Sequence, residues 1–278
     1  MEFPSEESVG PEVVYEDEWL VAVHKPARMH SVPGLGSGDL CAWTFERYPE
    51  LRDIAARPGS EKAGGPHSEG GLLHRLDYET SGLVLFARKS AAYASLLDQQ
   101  ARGEFRKEYM AVSSPSLADG PRGSLPARGY PEGVDPQAWS AARDALDSEA
   151  LAALLGGAPS GGACGVASAF RSYGPRGACV ACLTPAGKTE GVYRSDILAC
   201  SRGSSSPGGR EGGVLELRLG LARGFRHQIR AHLAWIGLPI LGDPLYGGAN
   251  DARLRLYAVR LVFTHPNSGN AFSVELED

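Results

Sequence analysis

No stretch of this 278-residue chain stays apolar for the ~20 residues that a membrane-crossing helix needs. Nor does the amino terminus run from basic to apolar in the manner of a secretory signal; it is acidic. The expectation is a cytoplasmic, monomeric protein with no membrane partner. Cysteine is scarce and odd in number, five in all, and no extracellular cue accompanies it, which argues for free thiols over a disulfide framework. Only one C-x-x-C occurs, at Cys179 and Cys182, and Cys164 and Cys200 supply no second close pair. The surrounding 178–183 segment reads as extended, which sets residues three apart on opposite faces. Neither a metal nor a cofactor is expected. Lysine and arginine are missing from the first stretch, where Glu2, Glu6, Glu7, Glu12, Glu16, Asp17 and Glu18 stand unbalanced. These acids outweigh the whole net charge of -5, so the rest of the chain is mildly basic. A pI near 5.8 therefore does not exclude a cleft for a polyanion. What remains is ordinary for a soluble globular protein: 42% hydrophobic and 22% charged residues, on a chain long enough to bury a full core.

The chain is organised around residues 71–89. Asp77 lies two residues after Arg75 and three after His74, in a short polar segment between Leu72-Leu73 and Leu83-Val84-Leu85-Phe86. The pattern predicts a turn that presents one acid, followed by a strand in which Leu83, Leu85 and Ala87 point one way and Val84 and Phe86 the other. A charged turn held by strands suits a catalytic site, and it equally suits a structural Arg-Asp pair.

Ahead of this block, residues 1–10 read as an acidic tail. Val13 to Lys25 reads as the first element, with Leu20 to Val23 a buried strand closed by Lys25-Pro26. Asp39 is placed to cap a helix running to Tyr48, and the Gly- and Pro-rich residues 57–71 read as a mobile loop. Beyond the block, Ser90 is the expected cap of a helix ending at Gly103, and Phe105 to Val112 alternates as a strand does. Residues 114–165 are poor in apolar side chains and read as an insertion with one or two helices. Asp135-Pro136 opens this helical stretch, which carries Trp139, Ala142, Leu146 and Ala150 on towards Leu155. Strand-like runs follow at 166–173, 178–183, 191–200 and 214–221, with a Gly/Ser-rich link at 201–213. Short strands with short links favour antiparallel pairing, so the expected fold is α+β, a mixed, largely antiparallel sheet with flanking helices over residues 11–278 as a single domain.

Residues 221–248 carry the other strong pattern. Ile229, Leu233 and Ile236 fall at helical spacing, Gly237 supplies the stop, and Arg223, Arg226, His227 and Arg230 crowd the first turns. Cations at a helix start oppose the macrodipole, so a negative partner is expected: Asp77, the phosphates of a polyanion, or a surface patch balanced by Glu216 and Asp243. The chain closes with strand-like runs at 254–264 and 271–276 around a turn at 265–270.

The block His74-Arg75-Leu76-Asp77-x-x-Thr80-Ser81-Gly82-Leu83 resembles the signature of the RluA-like family of RNA pseudouridine synthases. Lys107-x-Tyr109 resembles that family's second motif, and His227-Gln228-Ile229-Arg230-x-His232-Leu233, with Gly242-Asp243-x-x-Tyr246-Gly247, its third. The resemblance implies the family's catalytic fold and an RNA partner. It implies Asp77 as nucleophile, Tyr109 against the target base and Arg230 as partner of Asp77. Arg75 takes the space vacated by the flipped base and holds phosphate, while Lys107, Arg223, Arg226 and His227 meet substrate. Leu256, in a Leu-Tyr-Ala where the family usually has Leu-His-Ala, helps wall the base pocket. Three further departures are visible. Ala27-Arg28-Met29-His30 lacks the expected glycine, Phe225 stands where many members have arginine, and no small RNA-binding domain is expected before the first strand.

Isomerising uridine breaks the N1 to C1′ bond, turns the base and rejoins it through C5, so one carboxylate suffices without redox chemistry or a metal. Attack at C6 of the base and action at C1′ of the sugar fit the same residues. A phenol, with an ordinary pKa of ~10, is a weak base, which favours stacking for Tyr109. Two other readings remain at this level: an RNA-binding protein that keeps the fold without turnover, and a metal-dependent hydrolase built on His74, Asp77, His227 and His232.

Overall fold

The computed structural model describes residues 10–32, 38–54, 69–116, 129–156, 164–184, 191–203 and 213–276. The acidic tail, most of the 57–71 loop and most of the 201–213 link lie outside the described residues. Ten strands are described: β1 Glu12–Glu16, β2 Leu20–Lys25, β3 Ser81–Ala87, β4 Arg106–Ser113, β5 Gly165–Tyr173, β6 Cys179–Leu183, β7 Tyr193–Gly203, β8 Val214–Leu221, β9 Leu256–Thr264 and β10 Ala271–Glu275. Five α-helices accompany them: α1 Leu40–Arg47, α2 Ser90–Arg102, α3 Pro136–Asp144, α4 Ser148–Gly156 and α5 Gln228–Trp235. The fold is the expected α+β, with a mixed and mostly antiparallel sheet. The chain divides into two compact units, a central one of Glu108–Leu256 and a terminal one of Glu2–Lys107 with Tyr257–Asp278.

In the terminal unit the strand order is β1-β2-β3-β9, with β10 on β9. The single element expected over Val13 to Lys25 is two strands, because Asp17 stops the chain between them: its Oδ1 accepts from the backbone N–H groups of Trp19 and Leu20, both at 2.7 Å. β2 and β3 pair antiparallel, whereas β3 and β9 run parallel through Ser81 with Tyr257 and Gly82 with Ala258. Every residue of β3 is buried, so both of its faces are covered. α1 begins as expected, with the Asp39 carboxylate accepting from the Ala42 N–H at 2.9 Å. α2 starts one residue earlier than expected: Ser90 is its first helical residue and Lys89 precedes it without a side-chain cap. Gly103, at φ 76°, closes it in the left-handed conformation that glycine takes without strain.

In the central unit the order is β4-β8-β7-β5-β6, with β5-β6, β5-β7 and β7-β8 antiparallel. The helical stretch from Asp135 is two helices. Asp135 caps the first through the N–H groups of Gln137 and Ala138. Leu146, at φ 53°, turns the chain, and Asp147 then caps the second through Glu149 and Ala150, each at 3.0 Å. Fully buried Trp139 donates its indole N–H to the Ile236 carbonyl at 3.1 Å and so fixes α3 beside the end of α5.

Candidate active site

Asp77 occupies the turn that the sequence pattern predicts. Residues 71–73 run beside β3, with the Leu73 N–H on the Leu85 carbonyl at 3.0 Å and the Ala87 N–H on the Gly71 carbonyl at 2.8 Å. The polar residues 74–80 therefore form the link between two buried arms. This link is held on both sides of the acid. Ser31 Oγ donates to the Leu76 carbonyl at 2.9 Å and accepts from the Leu76 N–H at 3.1 Å. Lys25, whose residue is 0% exposed, sends Nζ to the carbonyls of Pro26 and Met29 at 2.8 Å and of Tyr78 at 3.5 Å. The Thr80 N–H closes the turn on the Asp77 carbonyl at 3.1 Å. With its two neighbours fixed, the half-buried Asp77 carboxylate is left with little backbone freedom.

Lys25, which the sequence marked only as the end of a strand, thus helps to hold this turn. Burial pulls its ammonium down from the usual 10.5 to about 7, while the charges of Asp77 and Glu79 act in the opposite direction. Its signal was available only in the Lys-Pro dipeptide closing β2. Arg75 is exposed beside Asp77, and its Nη2 stands 2.8 Å from Oε1 of the buried Glu69. His74 is buried with its ring 5.9 Å from that of Phe105. Lys107 is half-buried on β4.

The remaining expected site residues belong to the central unit. Tyr109 is buried on β4, and Leu256 is buried at the start of β9. Arg230 lies in α5 and pairs bidentately with Asp243, Nε to Oδ2 at 2.8 Å and Nη2 to Oδ1 at 2.9 Å. Asp243 is among the acids that the sequence named, and its pair with Arg230 is buried rather than part of a surface patch. Asp243 Oδ1 also accepts from the N–H groups of Leu245 and Tyr246, which fixes the 243–246 turn to α5. His227, in the left-handed region at φ 56°, places Nδ1 3.0 Å from the Tyr246 hydroxyl, which accepts from the Val180 N–H at 2.9 Å. Arg226 donates to the Gly177 carbonyl, and Arg223 sits with Cζ 5.4 Å from the Tyr193 ring centre. The structure therefore gathers Arg230, Asp243, Tyr246 and His227 into one cluster.

His232 has a structural task. Its Nε2 is 3.0 Å from Ser168 Oγ and its Nδ1 2.9 Å from Ser195 Oγ, which ties α5 to β5 and β7. Burial lowers its pKa to about 3, so the ring is neutral. Both ring nitrogens are engaged, which removes His232 from the metal-ligand set considered above. Burial likewise pushes the Cys182 and Cys200 thiols up to about 12 and the Cys164 thiol up to about 11. Among the described residues, no helix is long and apolar enough to cross a membrane.

A family profile described as RNA pseudouridylate synthase matches residues 19–235. A ribosomal large subunit pseudouridine synthase D from Neisseria meningitidis serogroup A is 27% identical over 98% of this chain and 61% of the relative. An uncharacterised RNA pseudouridine synthase from Chloroflexus aurantiacus is 32% identical over 88% of this chain and 59% of the relative. The chain thus spans about three fifths of the length of these curated relatives. Among solved structures, human RNA pseudouridylate synthase domain containing 1 superposes with a TM-score of 0.55 at 17% identity, covering 100% of this chain and 86% of that one. The corresponding human domain containing 4 gives 0.51 at 16% identity, covering 95% and 87%. These two likenesses concern the fold.

Proposed function

The chain belongs to the RNA pseudouridylate synthase family, and from that premise we propose that it converts particular uridines of a structured ribosomal or transfer RNA to pseudouridine. The observation that carries this reading is the pinned turn at Asp77, with Leu76 held by Ser31 and Tyr78 held by Lys25. A nucleophile fixed by its own backbone needs no reorganisation when the base arrives.

In this reading Asp77 is the nucleophile and Arg230 the guanidinium that favours its ionised form. Tyr109 stacks on the uracil, and Leu256 walls its pocket. The N1 to C1′ bond breaks, C5 bonds to C1′, the proton on C5 leaves to solvent and N1 gains one, so the product is an isomer. Extruding the uridine from a helix costs a few kcal/mol. Arg75 offsets part of that by filling the vacated space and holding phosphate, and Lys107, Arg223, Arg226 and His227 grip the RNA without reading its sequence. The same reading makes the protein cytoplasmic, where these RNAs are.

Pseudouridine mapping of ribosomal and transfer RNA from cells with and without the gene tests this. One or a few positions are expected to vanish and to return with the wild-type gene but not with Asp77→Ala. Identical maps in both cell lines would overturn the proposal.

A further inference from the structure

The ion pair between Arg75 and Glu69 joins a free end to an anchored one. The Arg75 side chain is 48% exposed, whereas that of Glu69 is 6% exposed. Nη2 and Oε1 are 2.8 Å apart, but Oε1 accepts no aligned hydrogen bond, so what balances the buried carboxylate here is the arginine's charge. Leaving such a carboxylate buried and unpaired is costly, so Arg75 does not swing away from it freely. The backbone that carries Glu69 is held in place. Its carbonyl accepts from the Leu72 N–H at 2.9 Å, and the following Gly70 passes so near Leu51 that a Cβ there would fall 1.9 Å from the Leu51 carbonyl oxygen.

We infer that Glu69 is a positioning residue for Arg75: it grips one corner of the guanidinium and presents the rest, two residues from Asp77, as a preformed cation for an RNA phosphate. This rests on the reading that Arg75 meets RNA. An arginine in solution loses rotamer entropy when it engages a phosphate, and one already held by the charge of a buried acid loses less. The planar fork keeps donors available while Nη2 faces Glu69. An acid beside a phosphate-binding arginine would ordinarily weaken RNA binding; here its removal is the harmful change.

The sign of that effect is the test. Binding of the 278-residue chain to an oligouridylate is measured across a salt series for wild type, Glu69→Gln, Arg75→Ala and the double variant. Glu69→Gln is expected to bind about 3- to 10-fold more weakly, although it removes a negative charge. Arg75→Ala is expected to flatten the dependence of log K on log salt by about 0.7, the loss of one phosphate contact on a single strand. The double variant is expected to match Arg75→Ala alone. Tighter binding by Glu69→Gln, or losses that simply add, would overturn the positioning role while leaving Arg75's contact intact. An Arg75→Ala protein with unchanged affinity and slope would overturn the contact itself, and the positioning role with it. Should Glu69→Gln not fold, Glu69→Asp keeps the charge and shortens the reach; it is expected to bind more weakly than wild type, and wild-type binding would refute the role.

Discussion

Arg230 and Asp243 form a buried bidentate ion pair: two hydrogen bonds of 2.8 and 2.9 Å join side chains that are 3% and 0% exposed. Removing Asp243 takes two charge-assisted hydrogen bonds from a guanidinium in a low-dielectric interior. Asp243→Ala is therefore expected to lose about 3 to 5 kcal/mol of stability in urea denaturation. Arg230→Met with Asp243→Leu replaces the pair by apolar groups and is expected to regain most of that, yet to make no pseudouridine. A stable and active double variant would remove Arg230 from the chemistry.

Lys25 gives the terminal unit a pH signature. Its folded-state pKa of about 7 lies below the ordinary 10.5, so between those values the unfolded chain holds a proton that the folded one has released. The cost of burying the ammonium is complete below about pH 7 and fades as pH rises towards 10.5. Urea denaturation from pH 6 to 10 should show wild type gaining stability relative to Lys25→Met. A pH-independent difference would mean that the lysine is not desolvated. Because Lys25 also holds Tyr78, the variant is expected to lose activity at every pH.

His232 acts in acid. Its folded pKa of about 3 is depressed from 6.5, so the unfolded chain protonates first as pH falls. The stability associated with the neutral ring is complete above about pH 6.5 and lost progressively down to about 3. Thermal melts at pH 7 and 4.5 should show a larger loss for wild type than for His232→Gln, which has no imidazole to protonate.

Gly82 is the residue after the first one in β3, at φ 121°, and a Cβ there would fall 2.2 Å from the Ala258 carbonyl oxygen and 2.5 Å from its nitrogen. Gly82→Ala is expected to cost more than about 2 kcal/mol, since backbone strain and a clash with main chain add. A melting temperature equal to wild type would show that β3 and β9 can separate locally.

Local signals were legible in the sequence because they act over a few residues. Asp39 before α1, Asp135-Pro136 before α3 and Gly237 after α5 each satisfy groups one turn away. The Asp77 turn was legible for the same reason: two apolar arms bracket a short polar segment. The sequence allowed one or two helices here but did not place the break at Leu146, because the apolar periodicity continues across it; Asp147-Ser148 carried the second cap signal. Long-range partners were not legible. Nothing local tells which carboxylate Arg230 meets, that Glu69 reaches Arg75, or that Lys25 folds back to Tyr78, because those pairings are set by how the strands come together.

The account turns on the carboxylate at position 77, and the most direct measurement is tritium release from RNA labelled at uracil C5. Purified wild-type protein, given ribosomal and transfer RNA from cells lacking the gene, should release tritium to water as pseudouridine forms. Asp77→Asn should bind that RNA with wild-type affinity and release none. Release by Asp77→Asn at the wild-type rate would contradict the assignment of the nucleophile.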